Sequence, residues 1–195
     1  FLHAREIVLP GVGVVRTFSE DDLFIYLCTH GASHGWSRLK WLADFNAFVA
    51  SISSGEIERL YRHAQALGGG MAAGLALLLC ERLLSLRLPS ALANELHSGM
   101  RRKLLVAMAL DVMAGPNAVT EMEARPFGST RVTLMQFLFG NGWRYFFAQA
   151  RIVTTSMPDI LGYPLPPALH FLYPIIRVPR WLWRRGVSAG LVRPG

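Results

Sequence analysis

Two periodicities divide the chain. Residues 5–18 carry β-branched side chains on either side of Pro10-Gly11, the pattern of a β-hairpin closed by a Pro-Gly turn. A lone hairpin is marginal in water, so it is expected to lean on the helices or on further strands. From Ser19 onward the apolar positions recur at helical spacing. Ser19, with Asp22 three residues later, resembles a capping box, and Glu20 and Asp21 add favourable negative charge to the first turn. The spacing predicts a helix from Asp21 to about Ser51, in which Gly31 and Gly35 mark either a break or a close approach by another group. Further helices are predicted over about 55–67, 70–86, 89–113 and 130–150, punctuated by Gly68-Gly69-Gly70, Leu88-Pro89 and Gly115-Pro116-Asn117. Prolines at 158, 164, 166, 167, 174 and 179 make the last segment an irregular tail that wraps the bundle and ends in a short Arg/Trp helix. The fold class is mainly α: a helical bundle preceded by a short β-hairpin, with segments 1–18 (hairpin), 19–157 (helical domain) and 158–195 (Pro-rich basic tail).

One stretch interrupts the apolar helix. His30-Gly31-Ala32-Ser33-His34-Gly35-Trp36-Ser37-Arg38-Leu39-Lys40-Trp41-Leu42-Ala43-Asp44 sets ionisable and polar aromatic groups among Phe24, Leu27, Leu39, Leu42, Phe45 and Val49. Steps of three and four residues return to one side of a helix, so a continuous helix would align His30, His34, Ser37, Trp41 and Asp44 in a single stripe. Lys40 sits beside Asp44, and Arg38 flanks the stripe on the other side. Ionisable groups on a largely apolar helix need partners, so this stripe is expected to face a ligand or another chain.

With 195 residues and 52% hydrophobic content the chain is long enough for a real core, which excludes a disordered chain. Its net charge of +7 comes almost wholly from arginine; Lys40 and Lys103 are the two lysines. No acidic residue follows Asp159, whereas Arg177, Arg180, Arg184, Arg185 and Arg193 do, so the tail is a basic patch suited to anionic lipid, a phosphorylated group or an acidic neighbour. Nucleic-acid recognition motifs are absent, and nucleic acid is not an expected partner. Cys28 and Cys80 lie in apolar helical runs, where buried free thiols and a reducing, cytoplasmic setting are expected. The longest apolar run, Gly68 to Cys80, is shorter than the roughly 20 residues a bilayer span needs. Contact of the tail with a membrane surface stays open.

The candidate chemistry centres on the stripe. His30 and His34 have a spacing that would let two imidazoles hold one metal, but no third ligand lies nearby: Asp44 is ten residues on, about 15 Å along an ideal helix. No metal ligand is therefore assigned, and the pair is either a hydrogen-bonded structural pair or a contact to substrate or phosphate. Lys40 and Asp44 either form an i,i+4 ion pair or divide the work, with Lys40 and Arg38 receiving phosphate oxygens while Asp44 orients Lys40 or a histidine. Glu56-x-Glu58 and Glu121-x-Glu123 lie off any predicted strand and read as solvated pairs. Gly68-Gly69-Gly70 lacks the Lys-Ser/Thr of a phosphate-binding loop and reads as a linker, and Gly11-x-Gly13 belongs to the hairpin turn. Trp143, Tyr145, Phe146 and Phe147 are expected in the core.

The stretch Leu27 to Asp44 resembles the uncharacterised bacterial nucleotidyltransferase family of the polymerase-β-like superfamily, whose pattern is similar to His-Gly-x-x-His-x-Trp-x-x-Leu-Lys-Trp-x-x-Asp. The resemblance begins in the hairpin and in Thr17-Phe18-Ser19-Glu20-Asp21, and a looser match lies in Leu165-Pro166, Leu172-Tyr173-Pro174 and Arg177-Val178-Pro179-Arg180. It implies a two-part enzyme that transfers a nucleoside monophosphate from an NTP to an acceptor. An N-terminal α/β domain would carry a Gly-Ser turn and an Asp-x-Asp pair for Mg²⁺ and nucleotide, and a helical domain would complete the cleft. No Gly-Ser followed by Asp-x-Asp occurs in these residues, and the chain starts at Phe1 within a strand pair, as expected of a fragment that lacks the first domain. Residues 1–18 would then be that domain's remnant, the missing domain a partner, and Mg²⁺ and NTP ligands of the full-length protein rather than of this chain alone. On this resemblance Lys40 and Asp44 take the catalytic role, and His30, His34, Trp36 and Arg38 contact substrate. The competing reading is a non-catalytic helical interaction module whose stripe binds a partner chain and whose basic tail touches a membrane surface.

Overall fold

The computed structural model describes residues 4–114 and 128–154, together with Leu165, Pro166, Leu169, Leu172 and Tyr173. Strands β1 (Arg5–Leu9) and β2 (Gly13–Thr17) pair antiparallel, Ile7 opposite Val15. Helices α1 (Glu20–Ser33), α2 (Leu39–Ala50), α3 (Ser54–Ala66), α4 (Gly70–Leu84), α5 (Ser90–Ser98), α6 (Met100–Ala114), α7 (Gly128–Phe137) and α8 (Gly142–Thr154) follow. The mainly helical class with an N-terminal hairpin is thus the observed one. The described chain forms two compact units, residues 1–139 and 140–195. The 157/158 boundary, the Glu121-x-Glu123 pair and the tail, apart from the five residues named above, lie outside the described residues.

The hairpin closes where the sequence places its turn. Val12 N–H donates to Leu9 C=O at 3.1 Å, and Gly11 at φ +78° supplies the left-handed position that a type II turn demands after Pro10. Val8, Val12 and Val14 remain mostly exposed, so the hairpin is held by its ladder, by the Arg5–Glu20 ion pair at 3.0 Å and by Phe18 stacking on Tyr26 of α1. Ser19 caps α1 as expected, its hydroxyl accepting from Asp22 N–H at 3.1 Å, and Ser53 caps α3 the same way through Glu56 N–H.

Helix α4 is the centre of the first unit. Ala72 through Cys80 are all buried because α1, α2, α3, α5 and α6 surround it. A helix apolar on every side has no other stable place. Its small residues admit close neighbours: a Cβ on Gly74 would lie 3.1 Å from Leu96 Cδ2. Against it pack Phe24 and Cys28 of α1, Leu42 and Phe45 of α2, and Leu60 and Tyr61 of α3.

The helical stretch from Asp21 to about Ser51 is two helices with residues 34–38 between them, so of the break and the close approach offered at Gly31 and Gly35, the break falls at Gly35 and the close approach at Gly31. Two expectations about elements need correction. The helix predicted over 89–113 is divided at Gly99, which is extended (φ −88°, ψ 115°); Arg102 ties the break by donating to the C=O groups of Glu95 and Leu96 at 2.7 and 3.1 Å. The helix predicted over 130–150 is divided between Phe137 and Gly142, the latter at φ +81°. In each case the helical periodicity continues across a glycine whose backbone does not. The aromatic residues of α8 also depart from expectation: Trp143 is 75% and Phe147 64% exposed, and with Phe146 they form a surface ring cluster rather than core.

Candidate functional site

The turn between α1 and α2 builds the site. His34 ends α1, and Gly35 N–H donates to Ala32 C=O at 3.0 Å while Trp36 N–H reaches Gly31 C=O at 2.8 Å, the paired bonds of a Schellman motif with Gly35 at φ +59°. Trp36 follows at φ +55°, a second left-handed residue that turns the chain sharply. Its indole drops into the space Gly31 leaves open, where a Cβ would stand 2.4 Å from the ring. Trp36 is wholly buried and meets Phe45 at 6.1 Å, so the residue expected at the substrate face instead supports the turn from beneath. Both glycines singled out in the sequence thus admit protein: Gly31 the indole, and Gly35 the Val132 side chain of α7. Gln136 of α7 closes the end of α1 by donating to Ala32 C=O at 3.0 Å.

Above this plug lies an aromatic seam. The rings of His30 and His34 meet edge-on at 4.9 Å, and Trp41 of α2 lies 5.2 and 5.0 Å from them. The Arg38 guanidinium covers the Trp41 ring at 5.5 Å, a cation–π arrangement. Tyr26 stacks on His30 at 5.5 Å and carries the seam on to Phe18. Tyr26 and Phe18 were not singled out in the sequence, although Tyr26 precedes His30 by four residues, the same step that joins His30 to His34. The seam is only partly buried. Burial, then the neighbouring His30, then Arg38 hold the His34 imidazole below its ordinary pKa, which favours its neutral form.

The break in the helix reshapes the expected stripe. His30, His34 and Trp41 converge, Ser37 turns inward and is 8% exposed, and Asp44 is exposed one turn along α2 from Trp41. Lys40 is exposed too, and among the described residues neither Lys40 nor Asp44 joins an ion pair, so the i,i+4 pairing does not form. No side chain caps the start of α2, and its first turn has no acidic residue. Arg38 at the N-cap and Lys40 in the first turn instead place two cations at the positive end of the helix dipole. That arrangement is locally unfavourable, and an anion would relieve it.

The remaining candidates are structural. Glu56 pairs with Arg59 at 2.6 Å and Glu58 with Arg62 at 3.3 Å, so these two carboxylates, expected to be solvated, are half-buried and ion-paired. Gly68, at φ +84°, ends α3 in a second Schellman turn as a linker. Cys28 and Cys80 are buried free thiols; burial pushes Cys28 well up and Cys80 to about 12. Among the described residues no group of three His, Cys, Asp or Glu could hold a metal ion, and no helix is long and apolar enough to cross a membrane.

Residues 1–85, from the hairpin through α4, match the model of a family described as uncharacterised nucleotidyltransferase. The whole seam lies inside that match. No curated protein and no solved structure matches the chain.

Proposed function

We propose that this chain is the helical part of a nucleotidyltransferase, which completes a cleft for transfer of a nucleoside monophosphate from an NTP to an acceptor. The observation that carries the reading is the uncapped start of α2, where among the described residues Arg38 and Lys40 have no ion-pair partner beside the His30–His34–Trp41 rings, within the residues that match a nucleotidyltransferase family. Lys40 receives phosphate oxygens as a mobile point charge, and Arg38 presents its fork from the Trp41 face. Asp44, on the same helix, orients Lys40 as it approaches the phosphate. His34, held neutral, donates or accepts one hydrogen bond at the substrate without adding a charge that repels Arg38. Trp36 acts from below by fixing the turn that sets His34 and Arg38 beside Trp41.

Magnesium does not fit these residues. A magnesium site takes hard oxygen ligands, and among the described residues no group of three His, Cys, Asp or Glu is gathered to hold a metal ion. Metal binding and in-line transfer therefore belong to an Asp-x-Asp-bearing domain acting as partner, and no metal-dependent step is assigned to this chain.

The test is calorimetric titration of the complete gene product containing these residues with Mg-NTP, wild type beside Lys40→Ala. Charge-assisted contacts to phosphate set the expectation of roughly 10- to 100-fold weaker binding in the variant, with its thermal unfolding unchanged. Equal affinity in the two proteins overturns the assignment of Lys40. A second reading, a non-catalytic interaction module, draws support from the exposed Trp143–Phe146–Phe147 cluster on α8. It predicts that Trp143→Ala reduces sedimentation with anionic vesicles while Lys40→Ala lowers the melting temperature and leaves nucleotide affinity intact.

A further inference from the structure

The second unit, residues 140–195, is charged unlike the first. Its sequence holds seven arginines against the single acid Asp159, so +6 of the chain's net +7 falls on it. Helix α8 divides its first residues between two faces. Tyr145 packs over Gly140, whose missing side chain makes room for the ring. Trp143, Phe146 and Phe147 are spaced three and four residues apart, so they share another face, where they are 75%, 47% and 64% exposed. Their rings meet one another at 6.0 and 6.1 Å and form one continuous apolar patch on the surface. Arg144 and Arg151, both exposed, stand three residues before and four after Phe147 and border the patch on that flank.

We infer that α8 is an interfacial helix that lies along an anionic phospholipid surface, with Trp143, Phe146 and Phe147 sunk below the headgroups and Arg144 and Arg151 against the lipid phosphates. The inference goes beyond nucleotide transfer: every residue in it lies outside the residues 1–85 that match the family, and it holds whether or not the first unit is catalytic. Three clustered rings in water are stabilised by transfer to an apolar medium, and a bilayer interface supplies one without a matching groove. Helices with aromatic residues on one face and arginine beside it lie in the plane of that interface. Arginine carries its charge to phosphate on an aliphatic stem, which stays among apolar neighbours. Charge selects the occupant. A second copy of this chain would bring another unit of +6 against the first, and zwitterionic lipid would leave the excess charge unanswered. Anionic headgroups answer it. With 13 residues, α8 is about 20 Å long, too short for a bilayer core of roughly 30 Å, so lying flat is the geometry open to it.

The test is co-sedimentation of the full 195-residue chain with lipid vesicles. Vesicles of phosphatidylcholine and phosphatidylglycerol in equal parts are expected to bind it at least roughly tenfold more strongly than phosphatidylcholine alone. Trp143→Ser combined with Phe147→Ser is expected to weaken that binding roughly tenfold or more, and Arg144→Glu roughly tenfold. A second measurement needs no disruptive variant. Phosphatidylcholine brominated in its acyl chains, mixed with phosphatidylglycerol, is expected to quench the Trp143 emission, read as the difference between wild type and Trp143→Phe, which keeps an aromatic ring at that position. Vesicle binding unaltered by the double serine substitution would move the contact to the basic tail, and equal binding to both lipid compositions would remove the role of charge. An unquenched Trp143 would keep the rings out of the lipid, and concentration-dependent dimers that Trp143→Ser dissolves in sedimentation velocity would assign the face to a second copy. Each of these results overturns the proposal.

Discussion

Two residues carry most of the local argument. Gly31, one of the two glycines that mark a break or a close approach, leaves the space in which the Trp36 indole rests. Gly31→Ala would set a methyl group 2.4 Å from that ring, and overpacking of a fixed aromatic costs about 1–3 kcal/mol. The expected outcome is a lower denaturation midpoint in urea with an unchanged slope; a midpoint equal to wild type would mean that the indole does not sit there in solution. His34 makes the second case. Its pKa is held below the ordinary value of 6.5 in the folded protein, so folding favours the neutral imidazole. Above pH 6.5 the folded and unfolded chains both hold it neutral, and its contribution is complete. As the pH falls below that value the unfolded chain binds a proton that the folded chain resists, and stability declines. His34→Gln should flatten that part of the stability profile between pH 7 and 5, and an unchanged slope would assign the acid sensitivity elsewhere.

At the scale of elements, the capped start of α1 and the glycine stop after α3 were legible, and other stops were less so. Ser19 and Asp22 announce the start of α1 because a side-chain oxygen three residues before a free N–H is a local event. Ser19→Ala is expected to cost about 1 kcal/mol, read as a drop in melting temperature, while Ser19→Asp keeps the cap and the stability. The stops at Gly35, Gly99 and Gly142 are harder to read. Apolar residues recur at helical spacing through all three, and a glycine inside a helix is tolerated as often as it ends one. At Gly35 the decision comes from the bonds of Gly35 and Trp36 back to Ala32 and Gly31, and from Gln136, which is far away in sequence. The consequence falls on the candidate site: with the helix broken, His30 and His34 meet Trp41 from another helix, and Ser37 leaves the stripe.

On the scale of the whole molecule, the bundle is organised by α4, and the two thiols report on it. Cys28 on α1 and Cys80 on α4 are buried, and Cys80 Sγ lies 3.8 Å from the Leu42 C=O of α2. Burial raises both pKa values, so neither forms the reactive thiolate near neutral pH. A thiol-specific chromogenic reagent at pH 8 is expected to label neither cysteine in the folded chain and both in denaturant. Rapid labelling without denaturant would mean that α1 separates from α4 in the native ensemble. Within the second unit Trp143 and Phe147 of α8 are mostly exposed, although four aromatic residues in five positions ordinarily belong to a core.

Taken by itself, the sequence determined what depends on neighbours along the chain: the hairpin with its Pro-Gly turn, the capped start of α1, the helical class, and a motif of polar residues too concentrated to be incidental. Each follows from spacing or from a side chain acting within four residues of itself. Tertiary structure decided which of those polar residues meet. Trp36 is drawn inward because Gly31 leaves room beside a core that already holds Phe45, whereas Trp41 stays at the surface against two histidines and Arg38. The meeting of His30 and His34 with Trp41 likewise depends on packing between α1 and α2, which a helical period of about 3.6 residues does not encode.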